Sequence, residues 1–115
     1  MSRKNIIPGY KAFDALDATT TQTQDPETSV VGCDKASYHV TFSTANTGEL
    51  IVQAKNSKND SWYDLDFGVP LTVTAETEII LNVNQINFQA MRLVWQPSAG
   101  AGTISAVLSS ASVGA

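Results

Sequence analysis

One histidine and one cysteine, His39 and Cys33, bound the nucleophilic chemistry open to this sequence. Nucleophile-histidine-acid catalysis needs an imidazole beside an activated hydroxyl or thiol, and no Gly-x-Ser-x-Gly elbow or comparable signature occurs. A solvated histidine on the outer face of a strand, between Tyr38 and Val40, accounts for His39 with no further partner. A closed zinc site wants four nitrogen or sulfur ligands, which one histidine and one thiol cannot supply. Cys33 therefore reads as a small, half-buried residue.

The acids offer little more. Asp64-Leu65-Asp66 puts two carboxylates on one side of an extended strand, where solvent is their ordinary neighbour. Asp14, Asp17, Asp25, Glu27 and Asp34 are numerous enough to surround calcium but lack the regular loop spacing that such a site shows. No glycine-rich loop leads into a helix, and no Gly-Lys-Ser/Thr follows one, so nothing cradles a phosphate. Trp62, Tyr63 and Trp95 raise the question of sugar stacking. Trp62 and Trp95 fall on the apolar phase of their strands and are expected inside, leaving Tyr63 exposed alone. The sequence thus predicts no catalytic residue, no metal and no cofactor.

The elements that would position these groups follow from length and rhythm. The chain has 115 residues, which predicts one domain with one core. Hydrophobic residues make up 43% and charged residues 16%, with Thr, Ser, Ala, Val and Asn plentiful, a mixture that favours strands and turns. A single cysteine rules out an intrachain disulfide and suits folding in a reducing cytoplasm. The opening Met-Ser-Arg-Lys-Asn-Ile-Ile-Pro-Gly-Tyr has too short an apolar stretch for a signal peptide. No apolar run approaches the ~18 residues that span a bilayer, so no membrane association is expected.

Charge is unevenly spread. The net charge is −4, yet residues 1–11 hold Arg3, Lys4 and Lys11 with no acid, +3, which leaves −7 for the remainder. Phosphate binding draws on clustered Lys and Arg, so a body of that sign argues against a nucleic-acid partner. The basic segment is either a solvated tail or a contact for an acidic neighbour. As an interaction segment it would use Arg3, Lys4, Ile6, Ile7, Tyr10 and Lys11, combining charge with apolar anchors.

Residues 1–18 are expected to form an extended arm with at most one helical turn, which Phe13 and Leu16 at spacing three could line. Residues 19–115 are expected to form the domain. The polar, β-prone stretch 19–29 reads as an edge strand followed by a loop, because Pro26 forbids a central strand. From Val30 the apolar period is two. Tyr38, Val40 and Phe42 lie on one face, and Leu50, Val52 and Ala54 repeat the pattern after an Asn46-Thr47-Gly48 hairpin turn. Further strands are expected at 62–67, at Leu71 and Val73, and, beyond a polar break at 74–78, at Ile79, Leu81 and Val83. Met91, Leu93 and Trp95 then lead through a flexible hairpin at 97–102 into Ile104, Ala106 and Leu108. About eight short antiparallel strands predict an all-β sandwich or jelly roll. Its expected core is Tyr38, Val40, Phe42, Leu50, Val52, Trp62, Leu71, Val73, Ile79, Leu81, Val83, Met91, Leu93, Trp95, Ile104 and Leu108.

The C-terminal two-thirds resembles a family of small phage virion proteins. The resemblance is carried by Val52-Gln53-Ala54-Lys55-Asn56-Ser57, Trp62-Tyr63-Asp64-Leu65, Ile79-Ile80-Leu81-Asn82-Val83-Asn84-Gln85, Phe88-Gln89-Ala90-Met91-Arg92-Leu93-Val94-Trp95 and Gly102-Thr103-Ile104-Ser105-Ala106-Val107-Leu108. Order and spacing match over residues 50–108, and the motifs are structural rather than chemical. The resemblance implies a virion component made in the host cytoplasm, a capsid decoration or cement protein of epsilon15-like short-tailed phages. Such proteins sit on the capsid exterior and clamp neighbouring major capsid subunits, often as homodimers across local twofold axes. A head-fibre or tail-associated receptor- or glycan-binding module is the alternative, and an enzyme a distant third.

Overall fold

The structure, a computed structural model, describes residues 6–25, 27–29, 35–56, 61–65, 71–83, 86 and 89–111, with the side chains of 6–9, 28, 110 and 111 left out. The two-residue rhythm becomes eight strands among these residues: β1 (Ile6–Asp17), β2 (Gln22–Thr23), β3 (Thr28–Ser29), β4 (Lys35–Lys55), β5 (Tyr63–Asp64), β6 (Leu71–Val83), β7 (Ala90–Ala99) and β8 (Thr103–Ala111). All pairings are antiparallel, in the order β1-β8-β4-β7-β2, with β3 also on β7 and with β5 and β6 on β4. The expected all-β antiparallel class holds, and the sheet folds on itself as a sandwich does. No helix of the described residues is long and apolar enough to cross a membrane.

The spine is β4. On one edge its first half pairs with β8, from Lys35↔Ala111 to Phe42↔Ile104, and its second half pairs with β7, from Thr47↔Ala99 to Lys55↔Ala90. On the other edge it pairs with β6 from Ala36↔Val83 to Leu50↔Leu71. The stretches expected as hairpin turns are therefore corners. Asn46-Thr47-Gly48 lies inside one continuous strand, and 97–102 joins two strands that pair with β4 rather than with each other. The polar stretch 74–78 likewise runs within β6 instead of dividing it.

The corner is chemically specific. At Gly100 and Gly102 φ is +137° and +80°, and at Ala75 of β6 it is +51°, so the neighbouring strands bend beside β4. Asn46 Nδ2 donates to the carbonyls of Thr44 and Ala101, each at 2.9 Å, and Thr44 Oγ1 donates to Ala101 O at 2.8 Å. The Thr103 N–H donates to Ser43 Oγ, and the Ala75 N–H to Thr47 Oγ1. Short polar side chains thus supply the hydrogen bonds that a bent ladder loses.

The two halves of the bent sheet face each other across one core. Tyr38, Val40, Ile104, Ala106, Leu108, Leu81 and Phe13 from one half meet Leu50, Val52, Val73, Met91, Leu93 and Trp95 from the other. Phe42 and Trp95 touch across the fold, with ring centroids 5.0 Å apart. Tyr38 Oη donates to Gln24 Oε1, which also accepts the Leu93 N–H, so this deep hydroxyl is paired; burial, with a smaller contribution from nearby Tyr10, raises the Tyr38 pKa well above its ordinary range. Leu93 is fully buried, and Leu93→Ala is expected to cost ~2–5 kcal/mol in a denaturant titration. A variant as stable as the parent would contradict this packing.

The expected core is met with three departures. Leu71 and Ile79 are half-buried against it, and Trp62 lies outside it. The expected arm is also different in kind. Ile6–Asp17 is extended but paired along β8, and Phe13 is buried. No helical turn forms there: register shifts flank Phe13, and Ala15 has a φ of +51°, so Phe13 and Leu16 reach the core side of a bulged strand opposite Ala106 and Ile104. Spacing three, in this strand, is a bulge.

Candidate functional site

His39 sits on the outer face of β4, where its Nε2 lies 3.2 Å from Glu78 Oε1 of β6. Both side chains are largely exposed, and the neighbours opposite His39 are Val107 and Ile80 rather than a nucleophile. The scattered acids are not brought together. Asp14 faces Lys11 at 3.7 Å, Asp64 accepts from Gln53 Nε2 at 2.9 Å, and Glu27 lies 3.4 Å from Lys55 Nζ. Asp17 caps a turn, its carboxylate accepting from the hydroxyl and backbone N–H of Thr19, which together hold its pKa below the usual value. The carboxyl of Glu27 is likewise held low, first by its own backbone N–H and then by Lys55. Among the described residues no group of three His, Cys, Asp or Glu side chains could hold a metal ion. Cys33, Asp34 and Asp66 lie outside the described residues.

The aromatic residues separate differently from expectation. Trp95 is fully buried, and its Nε1 donates to the Ala18 carbonyl at 3.0 Å. Trp62, expected inside, is half-buried on the outer surface, with the Arg92 guanidinium 4.3 Å and the Lys55 ammonium 4.7 Å from its ring centroid. Because β5 pairs over only two residues, alternation does not fix the face of Trp62, and the two cations do. Arg92 Nε donates to Gln53 Oε1, and Gln53 passes the chain on to Asp64. These contacts form a clasp that holds the 62–64 segment on β4 and β7. Tyr63 beside it is 66% exposed, as its position suggested. Lys55, Gln53 and Arg92 were legible only as polar positions of apolar strands; their convergence on Trp62 needed the β4–β7 register, which sets Gln53 opposite Arg92.

Of the interaction residues suggested by sequence, Arg3 and Lys4 lie outside the described residues. Ile6 and Ile7 begin β1 opposite Ala111 and Ser110. Tyr10 is 36% exposed and Lys11 is exposed. Together they follow one margin of the sheet, since β1 pairs only with β8 among the described residues. The opposite margin of the same layer is β6. There residues 74–78 are exposed without interruption, and Ile80 is 60% exposed. What the surface offers chemically is therefore contact area, strand edges and charge.

No family model matches the chain, and no curated protein matches it. Among solved structures it is similar to the SPBc2 prophage-derived protein YomS, with a TM-score of 0.62 and 13% identity, covering 97% of this chain and 97% of that one. It is also similar to a chain of Bacillus endospore appendages, a family of disulfide-linked pili, with a TM-score of 0.49 and 11% identity, covering 96% of this chain and 88% of that one. The likeness to YomS runs end to end and is a likeness of fold.

Proposed function

We propose that this chain is a structural virion protein that binds the outside of an icosahedral phage head and clamps neighbouring major capsid subunits as a decoration or cement protein. The observation that carries this reading is the fold shared over the full length with a prophage-derived protein, joined to the motif resemblance over residues 50–108. A cement needs no chemistry of its own. Many copies each bridge two subunits, so a modest interface acts at high effective concentration against the pressure of packed DNA. In this reading the chain is no enzyme, needs no cofactor, and binds neither nucleic acid nor membrane. The basic segment with Arg3, Lys4, Ile6, Ile7, Tyr10 and Lys11 meets an acidic protein neighbour, and copies pair as homodimers.

The test is a count of copies per particle, together with the heat resistance of shells stripped of the protein. Icosahedral stoichiometry and fragile stripped shells are the expected results. A low copy number confined to one vertex would overturn the cement role in favour of a fibre or tail module, for which the exposed Tyr63 beside Trp62 offers a sugar-stacking surface.

A further inference from the structure

We propose that two copies of this chain pair through β6, with residues 78–83 of one running antiparallel to the same residues of the other about a twofold axis at Ile80. The two margins of the layer β1-β8-β4-β6 differ in how far they discourage a further strand. The β1 margin is broken: Pro8 has no amide proton to offer, the register shifts three times between Pro8 and Leu16, and Ala15 has a φ of +51°. Lys11, Asp14 and Asp17 are exposed along it. Proline, bulges and charges are the means by which an edge strand is kept from pairing. The β6 margin lacks most of them at 78–83. There the register with β4 runs without a shift from Thr41↔Glu78 to Ala36↔Val83, and the residues are Glu-Ile-Ile-Leu-Asn-Val, with no proline, glycine or lysine. Among the described residues β6 pairs only with β4, so its other side is a regular, largely apolar template for a strand.

A second copy fits this edge because residues 78–83 are complementary to themselves. A twofold axis normal to the layer keeps the outer faces of both copies on one side, so residues that stand opposite each other share parity. With the axis at Ile80, that side chain meets its own counterpart on the outer face, Ile79 meets Leu81 on the core face, and Glu78 meets Asn82. Ile80 is the one aliphatic among the large hydrophobic side chains exposed among the described residues, and Ile79 is half-buried at the rim of the core. Pairing therefore covers apolar surface on both faces of the seam. Other axes do worse. At Thr77 Glu76 would oppose Glu78, and at Glu78 the carboxylate would oppose itself, and like charges directly opposite are destabilising. At Ile79 or Leu81 the Ile80 side chain would face Glu78 or Asn82. With the axis at Ile80 the two Glu78 carboxylates are offset by four positions, roughly 14 Å at ~3.4 Å per residue, beyond the ~8 Å screening length of physiological salt. Because the β1 margin is blunted, the assembly closes as a dimer in place of growing along the layer.

The seam rests on the reading that copies pair as homodimers and gives that pairing its surface; it belongs to the isolated protein, so its failure is separable from failure to decorate shells. The experiment is sedimentation velocity on the full chain over a concentration series. The parent is expected to pass from monomer to dimer and no further. Ile80→Lys changes an exposed side chain and sets two ammonium groups face to face at the axis; it is expected to stay monomeric, with an unchanged circular-dichroism spectrum and denaturant midpoint. Two cysteine variants test the register. A short thiol–thiol cross-linker is expected to join Cys33→Ser/Ile80→Cys into a covalent dimer, and to leave Cys33→Ser/Asn82→Cys, with thiols roughly 14 Å apart, as single chains. A parent that stays monomeric at all concentrations would overturn the proposal and leave the edge to a strand of a different protein. A dimer that survives Ile80→Lys, or cross-linking of the Asn82 variant as readily as of the Ile80 variant, would overturn it as well.

Discussion

Trp95→Ala is expected to cost ~3–5 kcal/mol of unfolding free energy, among the largest effects of any single truncation in this chain. The indole is fully buried on β7 and touches both halves of the folded sheet: Phe42 of the opposite half packs on its ring, and its N–H satisfies the Ala18 carbonyl just beyond β1. Truncation therefore opens a cavity and leaves a carbonyl without its donor. Trp95→Phe separates the two contributions. It keeps most of the apolar volume and removes the hydrogen bond, and is expected to cost ~1–3 kcal/mol. A domain of this size has roughly 5–15 kcal/mol in total, so the alanine variant should show a large fall in its denaturant midpoint at an unchanged slope. Equal midpoints for parent and alanine variant would place Trp95 outside the core.

The class of fold was written in the apolar rhythm, but its connections were not, and particular residues show why. Asn46, Thr47 and Gly48 have the turn chemistry of a hairpin, and the same chemistry serves a bend within one strand, because both need short polar side chains to satisfy displaced backbone groups. The phase held a clue. Tyr38, Val40 and Phe42 share even numbering with Leu50, Val52 and Ala54, as one uninterrupted strand requires, whereas Met91, Leu93 and Trp95 are odd and Ile104, Ala106 and Leu108 even. That one-residue change of phase is the extra residue, Ser98, taken up where the β4–β7 register shifts between Pro97 and Ala99, just before the Gly100–Gly102 corner. Phe13 and Leu16 could not be placed from local pattern at all, since the free edge of β8 that draws them into the sheet lies about ninety residues away in sequence. The same holds for the two edges: Glu76 and Glu78 looked like a break between strands until β6 proved continuous.

The corner makes the second large prediction. Gly48 lies where β4 passes closest to β7, and a Cβ there would stand 2.6 Å from Trp95 Cη2 and 2.9 Å from Pro97 Cα, and would press still harder on the Gln96 carbonyl oxygen. Two of these three are backbone atoms held by the β4–β7 ladder, so they cannot yield without separating Gly48↔Pro97 and Glu49↔Gln96. Gly48→Ala is accordingly expected to cost about 3 kcal/mol or more, at the upper end of overpacking effects, despite adding a single methyl group. The clash is shared with the indole, so the two sites must couple. In the double variant Gly48→Ala/Trp95→Phe the six-membered ring that meets the new methyl is gone, and the combined loss should fall short of the sum of the single losses by ~1 kcal/mol. Strict additivity, measured by chemical denaturation of all four proteins, would mean that the backbone of β7 alone sets the cost. A Gly48→Ala protein within about 0.5 kcal/mol of the parent would show that β4 and β7 do not approach this closely at the corner.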